Sequence, residues 1–190
     1  MKKSTMLFSS AAVSALVLTG GITAVANAVS VPQSAPIAVP AVDVPAAPNT
    51  TVQQNRISVG ASADAVKAAL AKCQADNLPF VTVALVDRFG TVQALLRGDN
   101  AAEHTIEAAK QKAYTAAAFG APTSELSGRI SSNGKPSIAD LPGTLFLAGG
   151  VPLKVNGVSV AGIGVGGAPD GMLDEACATA GADAIVAAAQ

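Results

Sequence analysis

The pattern of apolar and polar positions in the second half of the chain predicts short strands separated by tight turns. Thr144 to Ala148 is a β-prone run, Gly149-Gly150 interrupts it, and Val151 to Val155 resumes it. Asn156-Gly157 is a strong signal for a two-residue hairpin, so Val158 to Val165 would be the returning strand. We therefore expect this region to form the centre of a β-sheet.

Two glycines of the returning strand, Gly162 and Gly164, fall two residues apart and therefore lie on one face of it. Glycine inside a strand is typical of a place where another group packs closely against the backbone. We expect that group to be either a helix or a flat ligand.

The best-delimited helix of the chain is predicted from Asn100 to Phe119. Asn100 stands three residues before Glu103, as in a capping box, and Gly120 with Pro122 just beyond would end the helix. An apolar stripe at helical spacing would lie on the sheet. It consists of Ile106, Ala109, Ala113 and Ala117.

Three further helices and two further strands are predicted from periodicity and turn signals. The helices run from a cap at Ser62 to about Asp76, from Thr123 or Ser124 to about Ile130, and from near Asp170 to the end, with a loop at Ser132 to Pro136. The strands run from Phe80 to Val86 and from Thr91 to Arg97 and are joined by a turn at Asp87 to Gly90. We interpret Asp87 and Arg88 as turn residues rather than as a catalytic or anion site.

The first 28 residues have the features of a secretory signal peptide. Lys2-Lys3 form a basic start, Met6 to Val25 is apolar, and Ala26-Asn27-Ala28 matches a small-residue cleavage site. The alternative, a single membrane anchor, is disfavoured because polar and glycine pairs interrupt the apolar stretch. We expect the protein to be secreted, at the cell surface or periplasmic.

Residues 29–55 are rich in Val, Ala and Pro and are interpreted as an extended linker. We expect residues 56–190 to form one α+β domain in which a helix packs closely on a β-sheet. The chain is 50% hydrophobic but only 3% aromatic, which predicts an Ala-lined, closely packed interior. Without its two leader lysines it has ten basic and 13 acidic residues, a net charge of -3. This balance argues against nucleic acid as a partner.

His104, the single histidine, lies in the first turn of the central helix. His104, Ala108, Gln111 and Thr115 share one face of that helix, but His104 and Thr115 are about 16 Å apart along its axis. They cannot both ligate one metal ion directly. One histidine and no Cys-rich cluster exclude a conventional zinc site and covalently attached c-type haem.

The domain contains several separate motifs: Arg97-Gly98-Asp99, Lys112 to Ala116 (KAYTA), Ala121 to Leu126 (APTSEL), Leu141 to Gly150 (LPGTLFLAGG), the Gly162 to Val165 strand and Asp174-Glu175. Together they resemble the GlcG/HbpS family of haem-binding proteins. The resemblance covers about Arg56 to Gln190. It implies an antiparallel β-sheet flanked by helices in a profilin-like arrangement, assembly into a homo-oligomer such as an octamer, and non-covalent binding of haem b, in some members linked to redox sensing.

Three functions remain open from this resemblance. The first is a secreted protein that stores, buffers or senses haem. The second is an enzyme that degrades haem or acts on a small organic acid, although binding without catalysis is the expectation. The third is an oligomeric interaction module that engages a membrane sensor protein through the Pro-rich linker.

The candidate haem site is the central helix and its entry. His104, Thr115 and Tyr114 are alternative iron ligands, with His104 and Thr115 proposed as metal-binding. Gln111 shares their face, and Lys112 and Arg97 would supply cations for the haem propionates.

Cys73 and Cys177 are the only cysteines, in a chain expected to leave the reducing cytoplasm. If the first and last helices cover one sheet, the pair can come within disulfide distance. The alternative is two buried free thiols.

Overall fold

The computed structural model describes residues 42–130 and 137–190. The predicted signal peptide and the Ser132 to Pro136 loop lie outside these residues. Contacts divide the chain into two units, Met1–Pro45 and Ala46–Gln190. The described residues of the first unit, 42–45, have no regular secondary structure. No described helix is long and apolar enough to cross a membrane.

The described residues of the second unit contain four α-helices and four strands. The helices are α1 (Val59–Ala75), α2 (His104–Phe119), α3 (Thr123–Arg129) and α4 (Gly171–Ala188), with a 3-10 turn at Ile138–Asp140. The strands are β1 (Thr82–Asp87), β2 (Val92–Arg97), β3 (Gly150–Val155) and β4 (Val158–Gly166). They form one antiparallel sheet in the order β2-β1-β4-β3. The predicted α+β class is therefore confirmed.

The sheet is covered on both faces, which explains why β1 is buried along its whole length. Helices α1 and α4 pack against each other and on one face, called here the two-helix face. Its core contains Val83, Leu85, Ile163 and Val165, all inaccessible to solvent. A disulfide joins Cys73 in α1 to Cys177 in α4, with the Cα atoms 5.5 Å apart. Of the two alternatives left by the sequence, the structure contains the bridge.

Helix α2 covers the opposite face, called here the one-helix face. A Cβ on Gly162 would come within 2.1 Å of the Ala113 carbonyl oxygen, and one on Gly164 within 2.3 Å of that of Ala109. The predicted close partner of these glycines is therefore a helix. The three alanines of the predicted stripe are buried, whereas Ile106 is half-exposed.

The hairpin and most helix ends agree with the sequence analysis. Asn156 and Gly157 both have positive φ, 51° and 79°, as the two-residue turn requires. Gly120 ends α2 in the left-handed conformation with φ 66°. The Asp170 side chain caps α4 by accepting a hydrogen bond from the Met172 amide.

Three local predictions were wrong. Ser58, not Ser62, caps α1, because Ser62 is buried and its hydroxyl donates to the Ser58 carbonyl instead. The Asn100–Glu103 capping box does not form: α2 begins at His104, and the Glu103 side chain makes no capping bond. Thr144 to Ala148 is not a strand, and β3, which follows it, is an edge strand.

Candidate functional site

Helix α2 carries most of the candidate residues, and its packing on the sheet decides which of them reach solvent. The alanine stripe faces the glycines of β4, so the side chains opposite that stripe point away from the sheet. His104 and Glu107 are exposed, and Gln111 and Tyr114 are half-exposed. The outward side of α2 is therefore a mixed polar surface.

Glu107 lies at the centre of a small polar group on this surface. Its carboxylate accepts a hydrogen bond from Lys110 Nζ at 2.8 Å and one from Gln111 Nε2 at 3.1 Å. These bonds, that from Lys110 foremost, hold the pKa of the Glu107 carboxyl below its usual value. The solvated Glu107–Lys110 pair is an ordinary ion pair between residues three apart on a helix. In residues 42–130 and 137–190, no three His, Cys, Asp or Glu side chains converge as a metal site.

Thr115 is fully buried, and its hydroxyl already makes two hydrogen bonds. It donates to the Gln111 carbonyl at 2.7 Å and accepts from the Leu145 amide at 2.8 Å. The second bond holds the 141–148 segment over the C-terminal half of α2, next to an edge-to-face contact between Phe119 and Phe146. Because this segment covers Thr115, its hydroxyl would reach an iron atom only after exchanging one of these bonds.

Lys112 is also buried, and it forms an ion pair with Asp174 of α4. Lys112 Nζ lies 2.7 Å from Asp174 Oδ2, and the two side chains are 6% and 2% exposed. The other carboxylate oxygen accepts from the Ala168 amide at 3.0 Å. Burial raises the pKa of Asp174 in spite of the hydrogen bond from Lys112. The Lys112 ammonium is thus committed to a carboxylate and does not lie free on the surface.

Tyr114 and Arg97 contact different loops near α2. The Tyr114 ring packs beside Val86 and against Gly90 in the β1–β2 turn. Arg97, at the end of β2, donates through Nη1 to the Ala101 carbonyl in the segment that leads into α2. The structure therefore brings His104 and Gln111 onto one open surface but does not gather all six candidates into one pocket.

Asp174 and Glu175 are structural residues whose roles the sequence analysis did not assign. The Glu175 carboxylate accepts from the Ser124 amide and hydroxyl and from the Gly149 amide, and so ties α3 and the start of β3 to α4. Lys112 has alanines three and four residues before it and four residues after it, on its own side of α2, and a lysine in such a setting could have signalled a buried carboxylate partner. The sequence did not identify Asp174 as the partner of Lys112, because the two residues are 62 positions apart.

These features define a three-layer α+β domain with a central four-stranded antiparallel sheet. A family model described as haem degrading protein HbpS-like matches residues 57–183, and the chain belongs to this family. Comparison with curated proteins returned no match.

This chain matches three solved structures over nearly the whole length of each of them. HbpS is 44% identical, with a TM-score of 0.68, over 74% of this chain and 97% of that chain. A double mutant of Streptomyces reticuli HbpS is 43% identical, with a TM-score of 0.70, over 76% and 97%. A PduOC:heme complex is 28% identical, with a TM-score of 0.61, over 68% and 95%.

Proposed function

We propose that this protein binds haem b non-covalently and stores, buffers or senses it. The observation that carries the proposal is the membership of the HbpS-like family, with HbpS itself similar over 97% of its length at 44% identity. The structure of a PduOC:heme complex, at 28% identity, supports the same ligand. The proposal stays at the level of binding because members of one fold family need not share a reaction.

For the site we propose the outward surface of α2 near its start. His104 is exposed there, so its imidazole can reach iron without breaking a bond that holds the fold. Gln111 is on the same side of α2 and is half-exposed. Thr115 would need to release Leu145, and Tyr114 would need to leave Gly90. Arg97, exposed at the end of β2, is the candidate partner for a propionate.

A hemin titration followed in the Soret region tests this proposal. We expect saturation near one haem per chain and a shifted Soret band. His104→Ala should change the band position or weaken binding about tenfold or more, because a metal ligand is lost. The matched control is Asn100→Ala, an exposed polar residue four positions before α2 begins, which should behave as wild type. An unshifted Soret band at micromolar hemin would refute haem binding.

The alternative ligands are separated by two further variants. Tyr114→Phe removes only the phenolic oxygen, and Thr115→Val removes the hydroxyl while keeping the side-chain shape. If His104→Ala leaves the spectrum unchanged and either of these shifts it, the iron ligand is that oxygen. If all three spectra match wild type, the ligand lies elsewhere.

Haem degradation is the second candidate function, and the description of the matched family favours it. Incubation of the protein with excess hemin, ascorbate as the electron donor and dioxygen as the oxidant would distinguish it from storage. A degrading enzyme loses the Soret band over several turnovers and releases iron, whereas a binding protein keeps the band.

We further propose that the protein is exported and works as a homo-oligomer, such as an octamer, that can engage a membrane sensor. Export is supported by the basic and apolar leader and by the disulfide, since disulfides persist in oxidising compartments. Cell fractionation and light scattering of the purified protein test export and assembly. Deleting residues 29–45, which precede the compact unit, should abolish sensor binding and leave the hemin titration unchanged.

A further inference from the structure

A cavity of about 580 Å³ lies where three segments outside α2 meet. These segments are residues 53–56 before α1, the turn between β1 and β2, and the β3–β4 hairpin. Its walls are Gln53 to Arg56, Asp87 to Phe89, Val155, Asn156, and Val158 to Val160. The volume is in the range of small-molecule sites. None of these described lining residues belongs to α2.

The single carboxylate of the cavity wall, that of Asp87, is already neutralised. Asp87 Oδ1 accepts from the Phe89 amide at 2.9 Å and from the Thr91 amide at 3.0 Å, which is the turn chemistry expected from the sequence. Asp87 Oδ2 lies 3.6 Å from Arg56 Nη2. The charges of Asp87 and Arg56 therefore offset each other.

Arg88 is held in place, but its charge has no such partner. Its backbone amide donates to the Val160 carbonyl at 3.0 Å, and its Nη1 donates to the Ser159 carbonyl at 3.0 Å. A guanidinium has five N–H donors, so this anchoring leaves others for a ligand. Among the described residues, no carboxylate lies within 4.0 Å of its guanidinium nitrogens, as an ion pair requires. The cavity thus keeps one fixed positive charge.

Apolar side chains stand beside this charge without being covered by the fold. Phe89 is 65% exposed and Val158 is 59% exposed, and both line the cavity with half-exposed Val155. The amide side chains of the 53–55 segment and of Asn156 complete the wall. A fixed cation, an exposed aromatic ring and neutral amides together suit a ligand with one negative group and an apolar body.

We propose that this cavity binds a small organic monoanion, a carboxylate carried on an apolar body. The carboxylate pairs with the guanidinium of Arg88, and the apolar body covers Phe89 and Val158. The site is separate from the proposed haem surface on α2, and its existence does not depend on haem binding.

The test uses 1-anilinonaphthalene-8-sulfonate, a fluorescent aromatic monoanion, titrated into the purified chain. We expect saturable binding at one site, displaced by phenylacetate but not by phenylacetamide, which has the same ring and no charge. Arg88→Gln should weaken binding of the probe about tenfold or more, since a charged hydrogen-bonded contact is lost. Arg129→Gln, an exposed arginine of α3, is the matched control and should leave the affinity unchanged.

Phe89→Asp is a second variant of the same cavity, and it tests the proposal even if Arg88→Gln disturbs the hairpin. Phe89 is an exposed turn residue, so aspartate is tolerated there, but its carboxylate repels the anion. This variant should also lose the probe, while Phe89→Leu should retain it. Equal displacement by acid and amide, or equal affinity in all variants, would overturn the proposal. Loss of the hemin Soret shift in Arg88→Gln and Phe89→Asp would also overturn it, because the cavity would then be the haem site.

Discussion

The two faces of the sheet are covered by different kinds of contact. On the two-helix face, branched side chains such as Leu85 and Ile163 fill the space between the sheet and helices α1 and α4. On the one-helix face, α2 lies almost directly on the backbone of β4, because Gly162 and Gly164 offer no side chains. The first face is stabilised mainly by apolar burial, and the second by close approach of two backbones.

Buried hydrogen bonds help to hold the helix on the one-helix face, whereas large apolar side chains do so on the two-helix face. Ser159 Oγ donates to the Ala117 carbonyl at 2.7 Å, and the hydroxyls of Thr82 and Thr105 are 2.7 Å apart. These buried bonds and the Lys112–Asp174 pair hold α2 at one position. The consequence is that α2, which carries the proposed haem surface, is positioned with little freedom to shift.

Removing the disulfide is expected to have the largest effect, and it acts on the two-helix face. Cys73 and Cys177 are 104 residues apart. For a loop of this length, the chain-entropy model predicts that the Cys73→Ala/Cys177→Ala variant has a free energy of unfolding about 4 to 5 kcal/mol lower than wild type. Urea unfolding of the variant and wild type measures it. A loss below about 1 kcal/mol would mean that the bridge contributes little to stability. The hemin titration should be unchanged in the folded variant, because α2 lies on the other face.

Lys112→Met is expected to lower the free energy of unfolding by about 3 to 5 kcal/mol, because it leaves the Asp174 carboxylate buried without its cation. Lys110→Met is the matched control: that lysine forms an exposed pair with Glu107 and should cost at most about 1 kcal/mol. The double variant Lys112→Met/Asp174→Leu should be more stable than the Lys112→Met single variant. Equal stability of single and double variants would show that the stranded charge is not the cause.

Gly164→Ala tests the backbone contact on the one-helix face. The added Cβ would lie 2.3 Å from the Ala109 carbonyl oxygen and 2.5 Å from the Ala113 amide nitrogen. Since neither backbone atom can rotate away, α2 must shift, and we expect a loss of about 2 to 3 kcal/mol in urea unfolding. Gly128→Ala in α3, with nothing within 4 Å of the added Cβ, should be neutral or stabilising. Similar results for both variants would contradict the close packing.

Local sequence signals were sufficient for most of the fold. The hairpin turn, the end of α2 and the cap of α4 each depend on one or two residues whose geometry is decided locally. The glycines of β4 indicated a close partner because their spacing placed them on one face. The failures have tertiary causes: Thr144 to Ala148 has strand propensity, but Thr115 binds the Leu145 amide and holds the segment against α2.

The candidate site was less predictable than the fold because burial was not visible in the sequence. Lys112 and Thr115 were recognised as polar residues of the central helix, but their partners are distant in the chain. Asp174 lies 62 residues after Lys112, and Leu145 lies 30 residues after Thr115. The cavity around Arg88 was also missed, because turn chemistry explained Asp87 fully and residues 53–55 were assigned to the linker.

The smallest expected effect is a pH dependence of the free energy of unfolding that comes from Asp174. This residue of α4 pairs with Lys112 of α2 and so links the helices of the two faces. Burial raises the pKa of this carboxyl in the folded state, so the native protein binds its proton more tightly than the unfolded chain does. The contribution of Asp174 to the free energy of unfolding is therefore greatest below its unfolded pKa and falls as the pH rises through the raised folded value. Asp174→Asn cannot titrate there, so wild-type stability minus variant stability should decrease with rising pH across this window. A difference that instead increases with pH would mean that Lys112 lowers the pKa of Asp174 by more than burial raises it.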